Sequence, residues 1–224
     1  MILCIGEVLT PNDLQGIAAK LAQAAFVDGK TTAGWHAQTV KHNRQLPQDA
    51  PELEPLRQLI LAALQHHPLF QIAVRPRLIH PLLISRYEPG MAYGTHTDNA
   101  LMTAQGQSMR SDVSLTIFLS DPDTYDGGEL VIDSPQGEQV FKLDAGAMVV
   151  YPSSTLHRVE TVTDGVRLAA VSWVQSLVRD PAEREILFDL DTVCQALFER
   201  HGKTREFDLL AKTRANLLRK WVEV

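Results

Sequence analysis

Apolar side chains recur at helical spacing early in the chain, at Leu14, Ile17, Ala18, Leu21, Ala24 and Ala25. Thr10 precedes them as a cap, Pro11 suits the first helical position, and Asp13 suits the positive end of the helix dipole. A helix is therefore predicted up to about Phe26, stopped by Asp28-Gly29-Lys30. Residues 31–49 are polar and aperiodic and read as loop or short strand, with His36 and His42 on the surface. A second helix is predicted over 52–66, with Leu53, Leu56, Leu59, Ile60, Ala63 and Leu64 inward. His66 and His67 then fall at its negative pole.

After Pro68 the period changes from helical to alternating. Residues 75–86 are apolar and β-branched enough to begin a sheet, and Val113, Leu115, Ile117 and Leu119 alternate with Ser114, Thr116 and Phe118. Further strands are predicted at 129–133, 139–143, 147–151, 157–162 and 166–178. The connections between them are rich in Gly, Pro and Asp, and Thr163-Asp164-Gly165 reads as a tight hairpin turn. Many short strands at regular spacing predict a mainly β protein of the jelly-roll kind. Asp180-Pro181-Ala182-Glu183 is a helix start, followed by Ile186, Leu187, Leu190, Val193, Cys194, Leu197 and Phe198 at helical spacing. His201-Gly202 stops that helix, and a last one is predicted over 207–222. The organisation expected is one domain over 1–178, with N-terminal helices and a jelly-roll core from about 75, and a C-terminal helical extension over 179–224.

Composition narrows the function classes. At 224 residues with 45% hydrophobic and 21% charged residues, the chain has the make-up of a globular protein. A net charge of −6 argues against a general nucleic-acid binder, which needs a basic footprint. Cys4 and Cys194 lie too far apart to suggest a disulfide framework or a thiolate metal site. With no basic leader and no apolar run of about 20 residues, no membrane span is expected and a cytoplasmic setting is.

The candidate chemistry centres on Tyr87-Glu-Pro-Gly-Met-Ala-Tyr-Gly-Thr-His-Thr-Asp98. If the segment after Gly94 is extended, strand alternation puts His96 and Asp98 on one face, leaving room for a third ligand. His157 follows Tyr151-Pro152-Ser153-Ser154-Thr155-Leu156, where a jelly roll can bring it opposite that pair. Two His and one carboxylate on one face of a metal form the facial triad of non-haem Fe(II) oxygenases. Arg167 opens the last strand in an apolar context, shares its face with Ala169, Val171 and Trp173, and has no acidic partner in register. An inward Arg implies an anion, and a carboxylate matches its planar fork. An isolated His-x-Asp pair on a loop, or an outward Arg pairing with a surface acid, are the bland alternatives.

Tyr87-x-x-Gly90-x-x-Tyr93-x-x-His96-x-Asp98, Gly127-Gly128-Glu129-Leu130, and His157 with Arg167 ten positions on resemble the Fe(II)- and 2-oxoglutarate-dependent dioxygenases of the prolyl-4-hydroxylase group. With Asp112-Val113-Ser114-Leu115-Thr116 and Tyr151-Pro152-Ser153-Ser154 included, the whole chain is similar to the bacterial PKHD-type hydroxylases, some of which are associated with iron uptake. The resemblance implies a double-stranded β-helix holding Fe(II) through His96, Asp98 and His157. It also implies Arg167 on the distal carboxylate of 2-oxoglutarate, Tyr87 near that co-substrate, and Tyr93 nearer the substrate entrance. Where family members carry a co-substrate-binding tyrosine this chain has Phe118, so Thr116 or Tyr87 is left to supply the hydroxyl. The implied reaction consumes O2 and 2-oxoglutarate, releases succinate and CO2 and hydroxylates a small-molecule or peptide substrate, with ascorbate keeping the iron reduced.

Two other function classes fit parts of the sequence. A zinc hydrolase could use the same ligands but gives no role to Arg167. A non-catalytic jelly-roll sensor binding iron or an organic acid would bind without forming succinate. Three uses fit the C-terminal helices: capping the barrel, forming a homodimer, or contacting substrate. The polar stretch 100–110 is expected to be a lid.

Overall fold

The computed structural model describes residues 1–104 and 106–223. The chain begins with β1 (Leu3–Ile5) and α1 (Pro11–Leu21), then β2 (Val27–Asp28), β3 (Lys41–His42) and β4 (Arg44–Gln45). Helices α2 (Leu53–His66) and α3 (Pro68–Val74) lead into β5 (Pro76–Ile79), β6 (Leu83–Tyr87) and β7 (Ala92–His96). A hairpin of β8 (Leu101–Ala104) and β9 (Gln107–Arg110) precedes β10 (Val113–Phe118) and β11 (Tyr125–Gly127). The barrel is completed by β12 (Leu130–Ser134), β13 (Gly137–Phe141), β14 (Met148–Pro152), β15 (His157–Val159), β16 (Val162–Gly165) and β17 (Arg167–Ser176). Helices α4 (Pro181–His201) and α5 (Arg205–Trp221) close the chain.

Two main sheets face each other as in a jelly roll. The larger runs β1-β14-β10-β17-β6-β4-β2, with β5 also on β17, and the smaller runs β13-β12-β15-β7-β3. Strand alternation divides the work of the larger sheet. On β10, Val113, Leu115 and Ile117 join a core with Ile17, Leu21, Leu56, Ile60, Leu64 and Phe70 from the N-terminal helices. Its other face carries Phe118 into a second core between the sheets, with Tyr87, Leu130, Ile132, Val149, Tyr151 and Val159. One face thus packs on helices while the other is free to line a cavity.

Helix starts follow local chemistry. Thr10 and Asp13 form a reciprocal capping box at α1, and the Asp180 carboxylate accepts from the amides of Ala182 and Glu183 at α4. Several boundaries depart from the sequence reading. Helix α1 ends at Leu21, short of Phe26, and Phe26 packs on the helical core instead. Residues 68–74 form α3, capped by His67, whose Nδ1 accepts from the Phe70 amide, so His67 serves a helix start and not only a helix end. Thr163-Asp164-Gly165 is not a hairpin turn: it lies in β16, paired with β11 through Tyr125↔Gly165 and Asp126↔Asp164, so a long-range pairing outweighs the local turn signal. Among the described residues no helix is long and apolar enough to cross a membrane.

Candidate active site

His96 ends β7 and His157 opens β15, and the two are directly paired across the ladder. Both are buried, with ring centroids 4.3 Å apart. Asp98 follows two residues after His96, and its Oδ2 lies 3.7 Å from His157 Nε2. One ligand atom from each of His96, Asp98 and His157 falls within 4.8 Å of the others. The three expected ligands therefore converge from two neighbouring strands and the turn that follows one of them.

Hydrogen bonds around the trio orient it. His96 Nδ1 lies 2.8 Å from the Gly94 carbonyl and His157 Nδ1 3.0 Å from that of Thr155. A carbonyl only accepts, so each ring carries a proton on Nδ1 and Nε2 is the atom left to face a metal. Ser114 Oγ donates to Asp98 Oδ2 at 2.5 Å and lies 2.8 Å from Ser153 Oγ. The Tyr93 ring stacks on His96 with centroids 3.7 Å apart. Burial, and then the neighbouring His157, pull the His96 pKa down to about 4, so its imidazole is neutral at neutral pH. Two imidazoles and a carboxylate are a donor set suited to a divalent iron, with coordination positions left over.

Arg167 starts β17 opposite Tyr87 of β6 and is only 1% exposed. Its guanidinium carbon lies 5.1 Å from the Tyr87 ring centre and 5.5 Å from that of Phe118. Both rings offer apolar and π contact. Among the described residues neither Nε nor Nη2 has a hydrogen-bond partner. Gly128, at φ +67°, leaves the room Arg167 occupies: a Cβ there would sit 2.9 Å from Arg167 Cδ. The buried Tyr125 hydroxyl lies close to Arg167, with no hydrogen bond of full geometry among the described residues. A buried guanidinium with donors to spare is what an anionic ligand would satisfy. The residues present fit a dicarboxylic acid that chelates a metal at one end.

Tyr87, Tyr93, His96, Asp98, Ser114, His157 and Arg167 line one cavity of about 450 Å3. Thr116 also lines it and is buried beside Tyr151. Tyr87 is buried under the guanidinium, and burial raises its pKa against the opposing pull of Arg167. Leu101, Met102 and Thr103 of the β8–β9 hairpin contribute to the lining, while Gln105 of the expected lid lies outside the described residues. Sequence reasoning missed Ser114, and it missed Lys41, Asn43 and Gln45, which lie in the stretch read as loop or short strand yet line the same cavity. No sequence signal marks them, because all five residues from Lys41 to Gln45 are polar and only the fold buries every second one.

The 2OG-Fe(II) oxygenase superfamily matches residues 82–175, and the PKHD-type hydroxylase C-terminal domain matches residues 182–223. A PKHD-type hydroxylase from Synechococcus sp. (strain JA-2-3B'a(2-13)) is 61% identical over 224 residues, covering 100% of both chains. Among solved structures, a prolyl-4-hydroxylase from Pseudomonas putida superposes with a TM-score of 0.52 at 21% identity, covering 78% of this chain and 92% of that one. The non-heme alpha ketoglutarate dependent carbocyclase SnoK from nogalamycin biosynthesis gives 0.55 at 17% identity, covering 80% and 82%. The two solved structures establish likeness of fold, and full-length identity to the cyanobacterial relative establishes kinship: the chain belongs to the PKHD-type hydroxylases of the 2OG-Fe(II) oxygenase superfamily.

Proposed function

We propose that in this Fe(II)- and 2-oxoglutarate-dependent hydroxylase His96, Asp98 and His157 hold the iron, and that Arg167 holds the distal carboxylate of 2-oxoglutarate. The observation that carries the reading is the pairing, within one cavity, of a convergent His-Asp-His donor set with a buried guanidinium that has unpartnered nitrogens. Iron, when bound, supplies the activation of O2 that is coupled to decarboxylation of 2-oxoglutarate to succinate and CO2. The chain's own residues orient and exclude. The Gly94 and Thr155 carbonyls fix both imidazoles, Ser114 fixes the carboxylate, and the rings of Phe118 and Tyr87 pack near the guanidinium.

Phe118 has no hydroxyl to share with Arg167. Thr116 and Tyr87 both line the cavity and are the groups we assign to assist it, with the Tyr125 hydroxyl close by. The substrate is a small molecule or a peptide, by analogy with the prolyl-4-hydroxylase and the carbocyclase that share the fold. Ascorbate is assigned as reductant for iron oxidised in unproductive cycles, and a cytoplasmic setting fits two free cysteines and the acidic composition. The division at about residue 178 separates the catalytic domain from the C-terminal helices, whose exposed Ile186, Val193 and Phe198 are candidates for a homodimer contact.

The test is succinate formation from 2-oxoglutarate by protein supplied with Fe(II), combined with an untargeted search of cell metabolites for a gain of one oxygen. Succinate formation that requires Fe(II) and is abolished in His96→Ala supports the assignment; turnover that persists in His96→Ala removes that residue from the metal site.

A further inference from the structure

Residues 41–45 cross from one sheet to the other. Lys41 on β3 pairs with Tyr93 in the sheet that carries His96 and His157, and Gln45 on β4 pairs with Ser85 in the sheet that carries Arg167. Asn43 sits at the crossing. Alternation along this stretch turns His42 and Arg44 to solvent and buries Lys41, Asn43 and Gln45, which are 5%, 3% and 3% exposed. Three polar side chains buried in a row oppose the usual partition of such residues and call for partners.

Internal partners satisfy only some of them. Gln45 is engaged at both ends: Oε1 accepts from Thr32 Oγ1 at 2.5 Å, and Nε2 donates to Ser85 Oγ at 3.2 Å. Lys41 Nζ has three donors but gives one hydrogen bond, to Thr32 Oγ1 at 2.9 Å, and stands 5.1 Å from the centre of the Tyr93 ring. Among the described residues it makes no salt bridge. Asp98 and Asp28 act on it only from a distance, and the first of these is committed to the metal donor set. Asn43 is buried beside the Tyr87 hydroxyl, and among the described residues neither its Oδ1 nor its Nδ2 meets the full geometry of a hydrogen bond. Buried ammonium and amide groups left in this state, on the wall of a cavity, are matched to a ligand.

The co-substrate does not account for them, because its two ends are already assigned to the metal and to Arg167. We propose that the Lys41–Gln45 crossing is the primary-substrate subsite, and that the substrate presents a carboxylate to the Lys41 ammonium and a neighbouring polar atom to the Asn43 amide. The proposal rests on the reading that Arg167 holds 2-oxoglutarate. Gln45 and Thr32 then act as positioning residues that fix the ammonium from behind. A free organic acid and an Asp or Glu side chain of a peptide offer the same chemistry.

The test uses full-length protein loaded with Zn(II), a redox-silent divalent metal, and calorimetry as the readout. Titration with 2-oxoglutarate comes first; absence of binding there overturns the co-substrate reading itself. Propionate and its neutral counterpart propionamide are then titrated into the 2-oxoglutarate-saturated protein. Saturable binding of propionate, weakened about tenfold or more in Lys41→Met and retained in Lys41→Arg, supports the subsite. Binding of propionamide as tight as that of propionate in the wild-type chain overturns it without recourse to any variant. So does an absence of propionate binding, or binding that Lys41→Met leaves unchanged, when 2-oxoglutarate still binds. An end-blocked tripeptide centred on glutamate, run in parallel, separates the sources: tighter binding than propionate assigns a peptide side chain, and weaker binding a free acid.

Discussion

Lys41 is held in the cavity at a measurable cost. Burial drives its pKa from 10.5 to about 8, against the attraction of Asp98 and Asp28. The unfolded chain therefore holds this proton more tightly than the folded one, and stability rises with pH between about 8 and 10.5, with the full penalty present below that window. Lys41→Met, similar in volume and uncharged, is expected to stabilise the ligand-free protein at neutral pH by roughly 1–3 kcal/mol, less the lost contacts to Thr32 and Tyr93. The gain should shrink as pH climbs through the same window. Thermal unfolding of both proteins across pH checks it; a destabilised Lys41→Met at neutral pH would make Lys41 a structural residue. Ser114 has the opposite character. It costs little to bury beside Ser153, and its hydroxyl fixes Asp98. Ser114→Ala is expected to weaken metal binding by about 10- to 100-fold with the fold intact, read by competition with a chelator.

At the scale of elements, the site depends on where strands begin and end. His96, His157 and Arg167 all stand at strand termini, where a side chain can face the cavity without being covered by the next residue of the ladder. The turn before β12 makes room for Arg167 through Gly128, whose positive φ and missing Cβ are both required. Gly128→Ala is expected to cost about 1–3 kcal/mol in stability and to weaken 2-oxoglutarate binding by displacing Arg167. Denaturant unfolding and calorimetry check the two effects, and unchanged co-substrate affinity would show that the guanidinium tolerates the displacement.

Much of this was legible in the sequence. The caps at Thr10 and Asp180 are local chemistry, and the β10 strand announces itself by alternation. The convergence of His96, Asp98 and His157 follows the His-x-Asp spacing and the family resemblance, and the inward Arg167 follows its apolar strand. What stayed hidden depends on long-range pairing. The β16 strand is made by β11, against its own turn residues, and β3 and β4, of two residues each, exist because the two sheets capture them. A polar face turned inward gives no hydrophobic period to find.

For the molecule as a whole, the C-terminal helices are tied to the scaffold by a buried ionic bridge. Arg75, in the left-handed conformation at the end of α3, and Arg214 of α5 both pair with Asp191 of α4. Asp191 is buried, and Arg75 also reaches the Leu187 carbonyl. The helical pair thus docks on α3 as well as on itself, while Val178 and Val222 bridge it to the end of the barrel. Asp191→Ala leaves two cations without their carboxylate and is expected to destabilise by roughly 3–5 kcal/mol. Thermal unfolding checks it; a loss below about 1 kcal/mol, the scale of a surface pair, would mean that the bridge is not needed to hold the helices.

The cavity itself unites the two sheets: His96, His157 and Lys41 come from one, and Arg167 from the other. The central claim is that Arg167 grips the far end of an acid whose near end is on the metal. Anaerobic titration of 2-oxoglutarate into the Fe(II)-loaded protein, followed by the charge-transfer absorption of an iron-bound 2-oxo acid, tests it most directly. The account predicts one saturable site in the wild-type chain and an affinity lower by about 100-fold or more in Arg167→Ala, with one iron still bound per chain. Equal affinity in the two proteins would contradict it.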